Sequence, residues 1–152
     1  MTTCFCRCFL VALILFTATS LAEARMVRLW TYRELLDKAD FVVIAMPTAT
    51  GDSQERLQSL PGMAQPVVGV ETKFQVSAVL KGEKSTKEFV LHHYRCDRVR
   101  VPNGPTFITF DPAKKPPYLL FLVREADGRY APVVGQIDSA MGGISELQGM
   151  AK

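Results

Sequence analysis

Hydrophobic and polar residues alternate over the longest regular stretch of the chain, "VVGVETKFQVSAVLKG" from Val67 to Gly82. The even positions from Val68 to Leu80 are mainly apolar, and most of the residues between them are polar or glycine. A two-residue period predicts a strand with one buried and one exposed face, as is typical of antiparallel sheets. Gly69 is a plausible position for this strand to bend.

The flanking segments predict one short helix and several further strands. Thr31 and Glu34 have the spacing of a capping box, which predicts that a helix begins there and continues through Leu35 and Leu36. Strands are predicted at Phe41–Pro47, Glu88–Arg95, Thr106–Phe110, Tyr118–Glu125 and Tyr130–Gly135, with a last strand or helical turn near Gly143–Gly149. The resulting order of elements indicates a mainly β domain, either a small antiparallel barrel or a sandwich.

Two polar stretches interrupt this pattern. Thr48–Pro66 and Asp97–Pro117 are rich in turn-forming residues, and both are predicted to be loops, apart from the short strand inside the second. Because binding residues are concentrated on loops, these segments are candidate contact surfaces.

The N-terminus has the form of a secretory signal. An apolar run from Phe9 to Phe16 is followed by Ala22-Glu23-Ala24, which matches a signal-peptidase site, so residues 1–24 are predicted to be removed and residues 25–152 to form one secreted or periplasmic domain. The alternative is an uncleaved anchor that makes the chain a membrane-attached structural component. Cleavage would remove Cys4, Cys6 and Cys8 and leave Cys96 alone, without an internal disulfide.

Overall composition changes this picture little. A hydrophobic fraction of 48% with 22% charged residues is typical of a folded domain. The formal net charge of +3 is too small to favour a nucleic-acid partner. We therefore expect no nucleic acid, and no membrane contact unless the signal is retained.

The stretch "VLHHYRCD", Val90 to Asp97, carries the side chains most prone to chemistry. On a strand, His92 and His93 point to opposite faces, while Cys96 lies about 13 Å from His92. This geometry opposes zinc binding and a Cys–His nucleophile, so we predict no metal, no cofactor and no catalytic residue. The alternative is a metal- or thiol-dependent enzyme that uses His92, His93 and Cys96.

Other candidate groups give weaker signals. Asp97, Asp111, Glu125 and Asp127 lie at loops or strand ends, where turn formation explains them. The rim formed by His93, Tyr94 and Arg95 is the predicted binding surface. We expect an exported, non-catalytic binding module whose partner is another exported or cell-surface protein.

Three segments together resemble a known family. "ELLDKADFVVIAMPTAT", "TKFQVSAVLKGEKSTKEFVL" and "PPYLLFLVREADGRYAPVVG" are similar to the small secreted domains of tissue inhibitors of metalloproteinases and netrin-type modules. The resemblance implies a five-stranded OB-type barrel with one short N-terminal helix. It does not imply inhibition, because the predicted mature chain begins at Arg25 rather than at the zinc-chelating cysteine of those inhibitors, and it lacks their disulfides.

Overall fold

The computed structural model describes residues 28–97 and 104–147. The elements are α1 (Tyr32–Lys38), β1 (Phe41–Leu57), β2 (Val67–Lys81), β3 (Glu88–Cys96), β4 (Tyr118–Arg124), β5 (Tyr130–Pro132), a 3₁₀ turn (Ser139–Met141) and β6 (Ile144–Glu146). The predicted signal peptide and its cysteines lie outside the described residues. Within the described part of the chain, no helix has the length and apolar character needed to cross a membrane.

Five of the strands form a closed barrel, which confirms the predicted fold class. Neighbouring strands pair in the order β1–β2–β3–β5–β4, and β4 pairs again with β1 from Phe41↔Leu122 to Ala45↔Tyr118. The pairing of β3 with β5 is parallel, whereas the other pairings are antiparallel. β6 extends the wall by pairing with the first half of β4.

The predicted capping box begins α1. The Glu34 N–H donates to Thr31 Oγ1 at 3.3 Å, and the Thr31 N–H donates to the Glu34 carboxylate at 2.9 Å. These two bonds satisfy donors that a helix start otherwise leaves open. Leu35 and Ala39 then pack with Val42 and Phe121, so the helix covers part of the outer wall.

Large apolar side chains fill the barrel interior. Phe74 stacks on Phe89 at 5.2 Å between ring centres, and Phe110 meets Phe74 edge-on at 5.0 Å. The inward-facing core residues are Phe41, Val43, Ala45, Phe74, Phe89, Leu91, Phe110, Tyr118, Leu120, Leu122 and Ile144. This aromatic layer closes the barrel below its open end.

The prediction of a loop over Thr48–Pro66 is wrong for its first half. β1 continues to Leu57 and pairs with β2 from Ala49↔Lys73 to Leu57↔Val67, so residues 58–66 alone form the connection. The second half of β1 is polar and mostly exposed because β4 covers β1 no further than Ala45. Pro47 stands at this transition. The extension of β1, β2 and β3 beyond β4 forms the rim of the barrel mouth.

Two other sequence predictions need correction. The alternation along β2 does not persist to its end, because the register shifts between Ile44↔Ala78 and Ala45↔Val76. Leu80 is consequently 53% exposed, while Val79 packs against the core. The predicted strand at Thr106–Phe110 forms no ladder within the described residues, although Phe110 is buried.

Candidate functional site

Alternation along β3 separates the two histidines, as predicted from the sequence. Phe89 and Leu91 point into the core, so His93 and Arg95 continue on the inner side toward the mouth. His92 and Tyr94 lie on the outer side, where their rings are 4.9 Å apart. Each face of the strand must therefore be considered as a separate site.

An open cavity of about 300 Å³ lies at the barrel mouth. Its wall combines apolar and charged side chains from three strands and from the segment that crosses the mouth. The lining residues are Thr50, Gly51, Asp52, Val70, His93, Arg95, Ile108, Thr109 and Phe110. We call this the mouth cavity. A concave, mixed lining at a barrel mouth is a common setting for ligand sites.

His93 forms the buried end of a hydrogen-bonded chain beside this cavity. Its Nε2 shares a hydrogen bond of 2.8 Å with Thr72 Oγ1, and Thr72 Oγ1 shares another of 2.8 Å with Thr50 Oγ1. Burial lowers the pKa of His93 to about 4, and the neighbouring His92 contributes to the lowering. The imidazole is therefore neutral near pH 7.

Arg95 crosses the rim to β1. Its Nε donates to Asp52 Oδ1 at 2.8 Å, its Nη2 donates to Asp52 Oδ2, and its Nη1 donates to the Cys96 carbonyl. The hydrogen bonds from Arg95 lower the pKa of the Asp52 carboxyl and correspondingly raise the pKa of Arg95. This two-pronged ion pair holds opposite charges together at the edge of an apolar cavity.

On the outer face, His92 lies between two carboxylates. Glu125 contacts Nδ1 at 2.9 and 3.1 Å, and Glu55 Oε2 lies 2.9 Å from Nε2. Both edges of the ring are thus occupied, and His92 is only 3% exposed. Arg129 lies 3.7 Å from the Glu125 carboxylate and 2.9 Å from Glu71, so the histidine belongs to a larger charged group.

A bulge in β1 brings Glu55 to His92. The β1–β2 register runs from Asp52↔Val70 to Arg56↔Val68, so residues 53–55 all lie opposite Gly69. A Cβ atom at Gly69 would come within 2.5 Å of Ser53 Oγ and 2.9 Å of Glu55 Cβ, which leaves space there for glycine alone. Tyr94 also holds Glu55, because its hydroxyl donates to Oε1 at 2.7 Å.

These arrangements restrict the chemistry of the histidines. The carboxylates approach opposite edges of His92, and nowhere in residues 28–97 and 104–147 do three or more His, Cys, Asp or Glu side chains form a possible metal site. Thr72 is fully buried, so a substrate cannot reach the hydroxyl that contacts His93. Cys96 is a partly exposed free thiol, with no hydrogen bond to either histidine within that part of the chain.

The predicted surface His93–Tyr94–Arg95 is only partly accessible. His93 and Tyr94 are 4% and 5% exposed, whereas the Arg95 side chain is 43% exposed. Burial raises the pKa of the Tyr94 phenol, and its hydrogen bond to Glu55 adds to this effect. Arg95 is therefore the member of the trio that an incoming group meets first, while the role of the trio as a binding surface stays a prediction.

Sequence reasoning missed Asp52, Glu55 and Thr72 as site residues. Asp52 and Glu55 fell within the predicted loop, and Thr72 occupied an ordinary inward position of the alternating strand. Gly69 was the available signal, since an isolated glycine in a strand often marks a bulge that redirects a neighbouring side chain. No protein-family model matches the chain, and no curated protein matches it significantly.

Proposed function

We propose that the chain is an exported, non-catalytic binding module that receives a side chain of another exported or cell-surface protein in the mouth cavity. The observation that carries this proposal is the open cavity of about 300 Å³, with an apolar wall and the Arg95–Asp52 pair at its rim. Val70, Ile108 and Phe110 offer contact to an apolar group. Either member of the ion pair can exchange its partner for a charge on the incoming protein.

Several features support binding rather than catalysis. The mouth cavity rests on a closed barrel, and a rigid scaffold favours recognition by preformed contacts. The neutral state of His93 and the burial of Thr72 oppose a nucleophile–base pair, while His92 has both ring edges occupied by carboxylates. The five-stranded ring also supports the interpretation of the fold as OB-type, and export rests on the signal-like N-terminus.

Affinity capture from the exported fraction tests the proposed surface. The purified protein and two variants, Arg95→Leu and Arg124→Leu, are immobilised, and the captured proteins are identified by mass spectrometry. Arg124 is the control because it lies at the end of β4, away from the lining of the mouth cavity. We expect Arg95→Leu to reduce capture of a specific partner at least tenfold and Arg124→Leu to leave it unchanged. Equal capture by all three proteins would contradict the choice of surface.

A further inference from the structure

The edge of β6 that faces away from β4 carries unpaired backbone groups. The Phe121 N–H donates to the Gly143 carbonyl at 2.8 Å, and the Leu147 N–H donates to the Pro117 carbonyl at 2.8 Å. In an antiparallel ladder, bonded and non-bonded pairs alternate, so Leu119↔Ser145 is the bonded pair between these two. The N–H and C=O groups of Ile144 and Glu146 therefore point outward.

These outward groups face a second concave surface. A groove of about 520 Å³ separates β6 from the segment Phe107–Thr109, and Tyr118 and Ala140 also line it. We call it the edge groove. Phe107–Thr109 belongs to the segment that was predicted to be a strand and that forms no ladder within the described residues. Both long sides of the edge groove thus offer extended backbone, and its volume accommodates a short stretch of extended chain.

One end of the edge groove carries a negative charge. Glu146 is exposed, and its carboxylate forms no ion pair with any other residue in the described ranges. Its contact there is with the Tyr118 hydroxyl, which donates to Oε2 at 3.5 Å. A lysine or arginine side chain on an occupant would complement this carboxylate.

We propose that an extended segment of a partner protein, carrying a lysine or arginine, adds to β6 as a further strand in the edge groove. Addition of a strand satisfies the outward groups of Ile144 and Glu146 through main-chain hydrogen bonds, and side-chain positions of the segment then decide its specificity. Glu146 selects the basic residue. This inference is independent of the mouth cavity, because Arg95 and Asp52 do not line the edge groove.

A proline at Glu146 separates strand addition from simple charge attraction. Glu146 occupies a non-bonded position of the β4–β6 ladder, so Glu146→Pro removes the outward donor and leaves the bonded pair Leu119↔Ser145 in place. Glu146→Gln is the matched control, since it removes the same charge and keeps the N–H. The probe is a phage-displayed library of random octapeptides selected against the purified full chain.

We expect selected peptides to be enriched in lysine or arginine and to slow hydrogen exchange at the amides of Ile144 and Glu146. Glu146→Gln should weaken binding a few-fold, with the loss shrinking at high salt, and Glu146→Pro should weaken it more than tenfold. Failure to select any peptide, or selected peptides that protect other amides, would overturn the inference. Equal binding by Glu146→Pro and the unaltered chain would do the same.

Two controls keep this test decisive. Circular dichroism and urea unfolding establish whether Glu146→Pro is folded, and hydrogen exchange on the unaltered chain decides the outcome if it is not. Arg95→Leu should bind the selected peptides normally. Loss of peptide binding in Arg95→Leu alone would place the peptide in the mouth cavity and would refute strand addition without refuting the proposed function.

Discussion

His92 and His93 are adjacent in sequence and nearly equally buried, yet their surroundings differ completely. His93 faces the mouth cavity side of β3 and has a threonine hydroxyl as its polar partner. His92 faces outward and lies between the carboxylates of Glu55 and Glu125. The first environment disfavours a positive charge, whereas the second surrounds the ring with negative charge.

The comparison shows that burial by itself does not determine what a strand histidine does. A neutral imidazole has one donor and one acceptor, which suits the Thr72 hydroxyl. Both ring nitrogens can donate at once only in the imidazolium form, which is the form that matches two carboxylates. One residue step along β3 therefore separates a polar group of the mouth from an electrostatic fastening between β1, β3 and the turn after β4.

The largest difference should appear in acid. Because the pKa of His93 in the folded chain is about 4, below its ordinary value of 6.5, the unfolded chain takes up this proton first as the pH falls. The contribution is intact above pH 6.5, and about 3 kcal/mol of the free energy of unfolding should be lost between pH 6.5 and 4. Urea unfolding of the unaltered chain and of His93→Gln over this range measures the effect. Parallel pH curves for the two proteins would contradict it.

A smaller effect should follow from breaking the contacts of His92. Glu125→Ala leaves the Nδ1 of a buried imidazole without its partner, and it should cost about 1–3 kcal/mol of the free energy of unfolding. Glu71→Ala is the control, since Glu71 is 46% exposed and also contacts Arg129, but does not contact His92. Its expected effect on urea unfolding is much smaller. Equal losses in the two variants would show that Arg129, rather than His92, is the residue that depends on Glu125.

The smallest effect concerns the bulge that brings Glu55 to His92. Gly69→Ala should cost about 1 kcal/mol, because the new Cβ displaces residues Ser53 and Glu55. Gly51→Ala serves as the control in the same strand pair, since a Cβ there meets no atom within 4 Å. The first variant should shift the NMR signals of the His92 ring, and the second should leave them unchanged. Unaltered His92 signals in both would indicate that Glu55 keeps its place without the bulge.

Sequence periodicity predicted the barrel and the opposite orientation of the histidines, because both depend on local alternation. The helix start at Thr31 was predictable for the same reason, as its capping box lies within four residues. The second half of β1 was not predictable, since its side chains are exposed and only pairing with β2 identifies it as a strand. The contacts of His92 depend on Glu55 and Glu125, which are distant in sequence, and no periodic pattern reports such contacts.

Pro47 has a consequence for how copies of this protein meet each other. It lies where β1 loses its β4 partner and becomes an edge strand. An edge with regular donors and acceptors is a template for sheet growth between molecules, and proline lacks the N–H that such growth needs. Beyond it, Asp52, Glu55 and Arg56 place charges along the same strand. At high concentration, the side of the barrel marked by Pro47 is thus the less adhesive one, and the molecule offers its neighbours a protected flank.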